Sequence, residues 1–278
     1  MTAPPSPRSV RVAAVQMVSK PDVAANLRDA AALVAEAAAQ GARLVGLPEF
    51  FCLMGRENDK IAVREADGHG PIQDFLAETA ARHRIWLAGG TIPLAAPEPG
   101  KVMNSLLVYG PDGARLARYD KIHLFAFATG DESYDESRTM VPGRAVRSFE
   151  MAPADGPRLK VGLSVCYDLR FPELYRSLGQ PDLIMVPAAF TATTGRAHWH
   201  TLLRARAIEN LCYVLAPAQG GRHDNGKATF GHSVLYGPWG ETVAELDEGP
   251  GVIVGEVDPD RIAEVRASLP ALAHRVFA

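Results

Sequence analysis

Val161-Gly-Leu-Ser-Val-Cys166-Tyr-Asp-Leu-Arg170-Phe-Pro-Glu173 is an apolar run that stops on a cysteine and meets a proline at position 172. The run reads as a buried strand. Proline suits the first turn of a helix, where its missing N–H costs nothing, so Pro172 reads as a helix start and Cys166 falls on the turn between strand and helix. Such a turn brings a side chain to the sheet edge, where backbone N–H groups and the helix N-terminus favour negative charge. A cysteine in an apolar run is also a small hydrophobe, and taken alone Cys166 reads more readily as core filling than as a nucleophile.

Outward from this stretch, strands and helices alternate. Upstream, Ser9–Met17 alternates as a strand and Val23, Leu27, Ala30, Ala31, Val34 and Ala38 recur at helical spacing before Gly41. Ala42–Leu47 is a second strand that delivers Glu49 between Pro48 and Phe50-Phe51; Pro71–Arg84 is a helix and Ile85–Gly90 a strand. Asn104–Tyr109, Gly110-Pro-Asp-Gly113 and Ala114–Tyr119 read as a β-hairpin ending at Lys121, so the sheet cannot be purely parallel. Thr129–Arg138 reads as an irregular acidic surface loop. Downstream, Leu183–Val186 is a strand, Ala197–Asn210 a helix, four short strands follow between Cys212 and Val257, and Asp258-Pro259 opens a last helix that Pro270 stops. This pattern predicts an α/β fold with mixed sheets: a short disordered leader over residues 1–8, then one domain over 9–278.

Composition narrows the function. A formal net charge of −3 without a basic block gives no footprint for nucleic acid. No window is apolar enough to span a bilayer, so a cytoplasmic protein without a membrane partner is expected. Cys52, Cys166 and Cys212 lack CxxC spacing, which argues against a disulfide framework and a cysteine-based zinc site. His198 and His200 fall on different helical faces, so no metal is expected there.

A thiol hydrolase needs a base, a positive group for the developing oxyanion, and a pocket. Glu49, Lys121, Glu136 and Cys166 stand at strand ends and supply these types. Glu49 is expected in apolar company that raises its pKa. Arg170 could hold a substrate carboxylate through its planar fork, or pair with Glu173 or Asp168; both readings stand. Cys52 and Cys212 read as structural.

Three motifs carry a resemblance: Leu47-Pro-Glu49-Phe50, Tyr119-Asp-Lys121-Ile-His-Leu124, and Val165-Cys166-Tyr-Asp-Leu-Arg170-Phe-Pro-Glu173. In this order they resemble the nitrilase (carbon–nitrogen hydrolase) superfamily from about Val10 to Arg275. Ala197–Asn210, Gln219–His223 and Gly231-His-Ser233 are most similar to its Nit amidase branch. The resemblance implies an α-β-β-α sandwich with Glu49 as general base, Lys121 beside the oxyanion, Cys166 as nucleophile and Glu136 as a supporting carboxylate. Tyr167, Arg170, Phe190 and Thr194 would contact substrate. It further implies hydrolysis of a small carboxylate-bearing amide to acid and ammonia through a thioester, without cofactor, by a homodimer or higher homo-oligomer. Deaminated glutathione and ω-amides are the substrates implied; N-carbamoyl amino acids, nitriles, or a catalytically silent binding protein or scaffold are the alternatives.

Overall fold

The computed structural model describes residues 9–130 and 132–276, so the leader expected over 1–8 lies outside the described residues. The chain runs β1 (Val10–Gln16), α1 (Val23–Ala39), β2 (Leu44–Gly46), α2 (Asp59–Ala62), α3 (Pro71–His83), β3 (Trp86–Ala88), β4 (Ile92–Ala95), β5 (Val102–Tyr109) and β6 (Arg115–Asp120). A ribbon of β7 (Ala126–Thr129) and β8 (Glu132–Asp135) follows, then β9 (Arg147–Met151), β10 (Leu159–Leu163), α4 (Pro172–Ser177), β11 (Leu183–Met185) and α5 (Ala192–Asn210). The last part holds β12 (Tyr213–Ala216), the pair β13 (Gly220–Arg222) and β14 (Ala228–Phe230), β15 (Val234–Tyr236), β16 (Thr242–Glu245), β17 (Gly251–Val257) and α6 (Pro259–Ser268).

Among the described residues two large sheets form, in the orders β17-β1-β2-β3-β5-β4, with β6 on β5, and β16-β15-β12-β11-β10-β9. β1, β2 and β3 are parallel to one another, as are β10, β11 and β12. Antiparallel strands flank each parallel group, so both sheets are mixed.

Side-chain alternation sets the layers. On β1, Val10, Val12 and Ala14 join a core with Val161 and Leu163 of β10 and Leu183 and Met185 of β11. The intervening Ala13 and Val15 face the other way, into Ala30, Val34 and Ala37 of α1 and Ile72, Leu76 and Ala80 of α3. The second sheet is covered in turn by α5, which sends Trp199, Leu203 and Ala207 into the core against β12 and β15. The order helix, sheet, sheet, helix follows, because the central parallel strands bury both of their faces. α1 is set by its sequence: Asp22 caps it by accepting from Ala25 N–H at 3.0 Å, and its apolar residues recur three and four apart along one stripe.

The structure departs from the sequence reading at four elements. β4 includes Pro93 and lies at a sheet edge, where a missing donor is tolerated. β9 is a second edge strand, with Phe149 and Met151 buried and Ser148 and Glu150 exposed. The acidic segment expected to be irregular forms the β7–β8 ribbon and a 3-10 turn over Glu136–Arg138, held by a Phe125, Phe127 and Tyr134 aromatic cluster. α5 begins at Ala192 rather than Ala197, because Thr191 caps it and Gly195 admits Phe230, whose Cβ would lie 2.3 Å from an added methyl group.

The parallel strands of both sheets end on one side of the sandwich, where the loops after β2, β6, β10 and β11 meet. Gly90, just past β3, fixes that meeting: it has φ +55°, and a Cβ there would stand 2.0 Å from the Pro48 carbonyl oxygen, one residue before Glu49. Gly90→Ala therefore combines left-handed backbone strain with overpacking against main chain, together about 2–4 kcal/mol. A drop in Tm of roughly 4–12 °C is expected in thermal unfolding; an unchanged Tm would show that the loop accommodates the methyl group freely.

Candidate active site

Each of the four strand-end residues arrives by a different route. Glu49 follows β2 in a tight turn in which Phe50 has φ +53° and donates its N–H to Thr91 Oγ1 at 3.0 Å. Lys121 follows β6; its N–H bonds the Asn104 carbonyl at 3.0 Å and its own carbonyl accepts from Gly143 at 2.8 Å. Glu136 opens the 3-10 turn after β8. Cys166 opens another, Cys166–Arg170, with φ +48° and its N–H on the Pro187 carbonyl at 2.9 Å. A left-handed conformation at a non-glycine residue costs on the order of 1–2 kcal/mol; at a turn it points the side chain where regular strand or helix would not.

These routes converge. Lys121 Nζ stands 2.9 Å from Glu49 Oε1 and 3.0 and 2.9 Å from the two Glu136 oxygens, and the lysine and Glu49 side chains are each only 1% exposed. Glu136 also accepts Phe125 N–H at 2.7 Å. Glu49 shares its cavity wall with Phe50 and Met54, but polar donors meet its oxygens. Its carboxylate accepts from Lys121, from Asn104 Nδ2 at 2.9 Å and from the Ala189 backbone N–H at 2.8 Å. An isolated buried ammonium would lose its proton; burial does push Lys121 down, but the Glu136 and Glu49 charges outweigh it and hold its pKa well above the ordinary lysine value. Burial and the Glu49 charge push the Cys166 thiol well up, with Lys121 pulling in the opposite direction. Burial and the Glu49 charge thus favour the thiol over the thiolate.

Asp168, fully buried, is the hinge pin of the cysteine turn. It accepts Val165 N–H at 2.9 Å, Tyr119 O–H at 2.6 Å and His123 N–H at 3.0 Å, and His123 Nδ1 lies 2.7 Å away. One carboxylate thus ties the turn carrying Cys166 to the segment carrying Lys121. Asp168 and Asn104 escaped the sequence reading. Asn104 left a signal, a polar residue inside the apolar run of β5; Asp168 left none apart from its place two residues past the cysteine.

Glu49, Glu136 and Cys166 line one cavity of about 330 Å³. A smaller cleft of about 20 Å³, enough for one water, is bounded by Cys166, Tyr167, Phe190 and Thr194. Three of the four residues expected to contact substrate therefore adjoin the sulfur. Arg170 lines neither space. Its guanidinium lies 5.3 Å from the centre of the Phe190 ring and 5.7 Å from that of Tyr167, with Nη1 3.3 Å from His198 Nδ1. The pairing with Glu173 or Asp168 is not formed among the described residues. Cys52 and Cys212 are buried without a disulfide, and burial pushes the Cys52 thiol up to about 12. Away from the cavity, His200, His232 and Glu245 bring ligand atoms within 4.8 Å of one another, but both imidazoles meet the same Glu245 Oε1, at 2.7 and 3.2 Å, as an ordinary hydrogen-bonded cluster does.

Comparison with known proteins agrees with this geometry. The Carbon-nitrogen hydrolase family model matches residues 11–267. A protein of Synechocystis sp. named Deaminated glutathione amidase is 44% identical over 269 residues, covering 95% of this chain and 97% of its own. Human Omega-amidase NIT2 is 36% identical over 272 residues, 96% of this chain and 95% of its own. The crystal structure of Saccharomyces cerevisiae Nit3, a member of branch 10 of the nitrilase superfamily, superposes with a TM-score of 0.85 at 32% identity over 97% of each chain. With the family model spanning almost the whole sandwich, the chain belongs to the carbon-nitrogen hydrolase family.

Proposed function

We propose that the protein hydrolyses small linear amides bearing a carboxylate, through a thioester on Cys166. The observation that carries this reading is the buried Lys121 ammonium, held between Glu49 and Glu136 at the mouth of a strained cysteine turn. The names of the relatives point to deaminated glutathione or an ω-amide as substrate.

In this mechanism Glu49 takes the thiol proton while sulfur bonds to the amide carbon. Charge developing on the carbonyl oxygen meets the Lys121 ammonium and the Tyr167 N–H, near the start of a turn where backbone donors are free of local partners. Glu49 then protonates the departing nitrogen and the C–N bond breaks. Water attacks the thioester and loses its proton to Glu49, the C–S bond breaks, and the sulfur recovers that proton. Tyr167, Phe190 and Thr194 frame the acyl group. Arg170, without a carboxylate partner among the described residues, lies beside Tyr167 and Phe190 and outside both spaces, where it would meet an acyl-half carboxylate only beyond those two rings. Glu136 keeps Lys121 charged and in place.

We also take residues 9–278 as one hydrolase domain. The cytosol is its compartment, since its cysteines are unpaired; among the described residues no helix is long and apolar enough to cross a membrane. A homodimer is supported by Trp239 and Ile208, 56% and 45% exposed and adjacent across Gly240, a patch that water disfavours. Light scattering on the eluting protein is expected to give twice the chain mass.

Two measurements test the chemistry. Incubated with deaminated glutathione, α-ketoglutaramate, an N-carbamoyl amino acid and a nitrile, the protein is expected to cleave the first two. Ammonia and free amine must both be read, because a secondary amide releases an amine, whereas a primary amide, a nitrile and an N-carbamoyl group release ammonia. Activity surviving in Cys166→Ala would eliminate the proposed nucleophile. Glu49→Gln gives a sharper outcome, because the Glu49 charge both raises the thiol pKa and supplies the base. At fixed pH it should increase Cys166 thiolate absorbance at 240 nm, judged against the same variant carrying Cys166→Ala, while turnover falls by about 10²–10⁴-fold. More thiolate with more turnover would show that ionisation of the sulfur, not base catalysis by Glu49, limits the enzyme.

A further inference from the structure

The cavity above Cys166 is charged unequally along its length. Around the sulfur, one ammonium, Lys121, faces two carboxylates. On another part of the same wall stand Lys60, Lys227 and Glu57, two ammoniums sharing one carboxylate: Lys60 Nζ lies 3.0 Å from Glu57 Oε2 and Lys227 Nζ 2.9 Å from Glu57 Oε1. The pair is built rather than incidental. The Lys60 side chain is only 7% exposed, with Nζ 4.0 Å from the centre of the Phe50 ring, and Lys227 Nζ lies 4.9 Å from the centre of the Tyr134 ring.

A buried lysine is costly unless its charge is used. Burial pushes the Glu57 carboxyl up, but Lys60 and Lys227 outweigh it and bring it down to about 2. Glu57 is therefore ionised at any working pH and still neutralises only one of the two lysines. Each ammonium has three N–H donors, and Glu57 accepts one bond from each. What remains is a positive charge with unspent donors on two residues that line the cavity, whereas the group around Cys166 sums to a negative charge.

We propose that Lys60 and Lys227 form a subsite for a carboxylate on the departing half of the substrate, so that the enzyme selects secondary amides whose leaving amine is anionic. This rests on the amidase reading of Cys166. A cavity of about 330 Å³ exceeds what a departing ammonia requires, and it runs from the sulfur to the lysines. An anion close to the reacting carbon meets Glu49 and Glu136, whereas an anion carried further along the cavity meets the lysine pair. The gradient thus orients the substrate: neutral amide at the sulfur, charged amine at the lysines.

The test compares three amides of one acyl group, 2-oxoglutarate: the primary amide, the N-ethyl amide, and the glycine conjugate, in which a carboxylate replaces the methyl group of the N-ethyl amide. For the unmodified protein kcat/KM should be about tenfold to a hundredfold higher for the glycine conjugate than for the N-ethyl amide, the value of one charge-assisted contact. Lys227→Met, at a side chain 33% exposed and so safe for folding, should collapse that ratio towards one, mainly through KM, and Lys227→Arg should restore most of it. Equal rates for the two conjugates in the unmodified protein, or a Lys227→Met ratio equal to that of the unmodified protein, would overturn the subsite while leaving the amidase reading intact. Failure to cleave any of the three would instead overturn the amidase reading, and the subsite with it.

Discussion

An ammonium removed from water must be surrounded by negative charge or it will not stay charged, and Lys121 obtains that charge from positions 72 residues before it and 15 after it. Desolvating such an ion costs several kcal/mol, recovered only when both partners are in place with good geometry. The contact at 2.9 Å from Lys121 to Glu49 therefore requires the turns after β2 and β6, on one sheet, to keep their spacing. The Ala189 N–H bond to Glu49 requires the loop after β11, on the other sheet, to sit against them. Closing the two sheets over a shared core and assembling the site are one event. Gly90 beside Pro48, and Asp168 between Cys166 and Lys121, are the points at which the backbone is made to comply.

Much of this was legible because it is local. Strand and helix periodicity located β1, α1, α3, the β5–β6 hairpin and the strand-to-turn passage into Cys166, and placing Glu49, Lys121 and Cys166 at strand ends followed from those patterns. What escaped depends on contacts distant in sequence. Nothing near Glu49 announces that its oxygens will accept from Asn104, Lys121 and Ala189, so apolar neighbours in sequence suggested an apolar site to which the fold adds three donors. Arg170 offered Asp168 and Glu173 as near partners, yet Asp168 is consumed by Tyr119, His123 and Val165, and the guanidinium turns to His198, 28 residues on. The β7–β8 ribbon hid behind its acidic residues, because Phe125 and Phe127 meet Tyr134 only once the turn brings the two short strands together.

The charge count around the sulfur gives these placements a common consequence. In the resting site Lys121 contributes one positive charge, Glu49 and Glu136 two negative ones, and the thiol none, so the sum is −1. A thiolate formed in advance would make it −2 in a space nearly closed to water, which is why burial and Glu49 hold the proton on sulfur. Under the proposed mechanism attack avoids that cost: the proton moves to Glu49 as the oxyanion forms, and the sum stays −1. Glu49 neutralises itself at the moment when negative charge must be accommodated, and Lys121, relieved of one carboxylate, is free to face the new oxyanion.

The same count distinguishes substrate from product. The amide group is neutral and enters without changing the sum, provided that any carboxylate it carries lies away from the sulfur. In the proposed mechanism, hydrolysis through Glu49 keeps the sum at −1 until the nascent acid ionises, when the site holds three carboxylates around one ammonium. At short range in a site of low effective dielectric, each such repulsion amounts to several kcal/mol before relaxation, and it acts on the product alone. A site with a second cation at the sulfur would bind that product more tightly and release it more slowly. Under the proposed mechanism, holding one lysine between two glutamates therefore does more than position a base: it makes the chemistry neutral in charge and the product unwelcome.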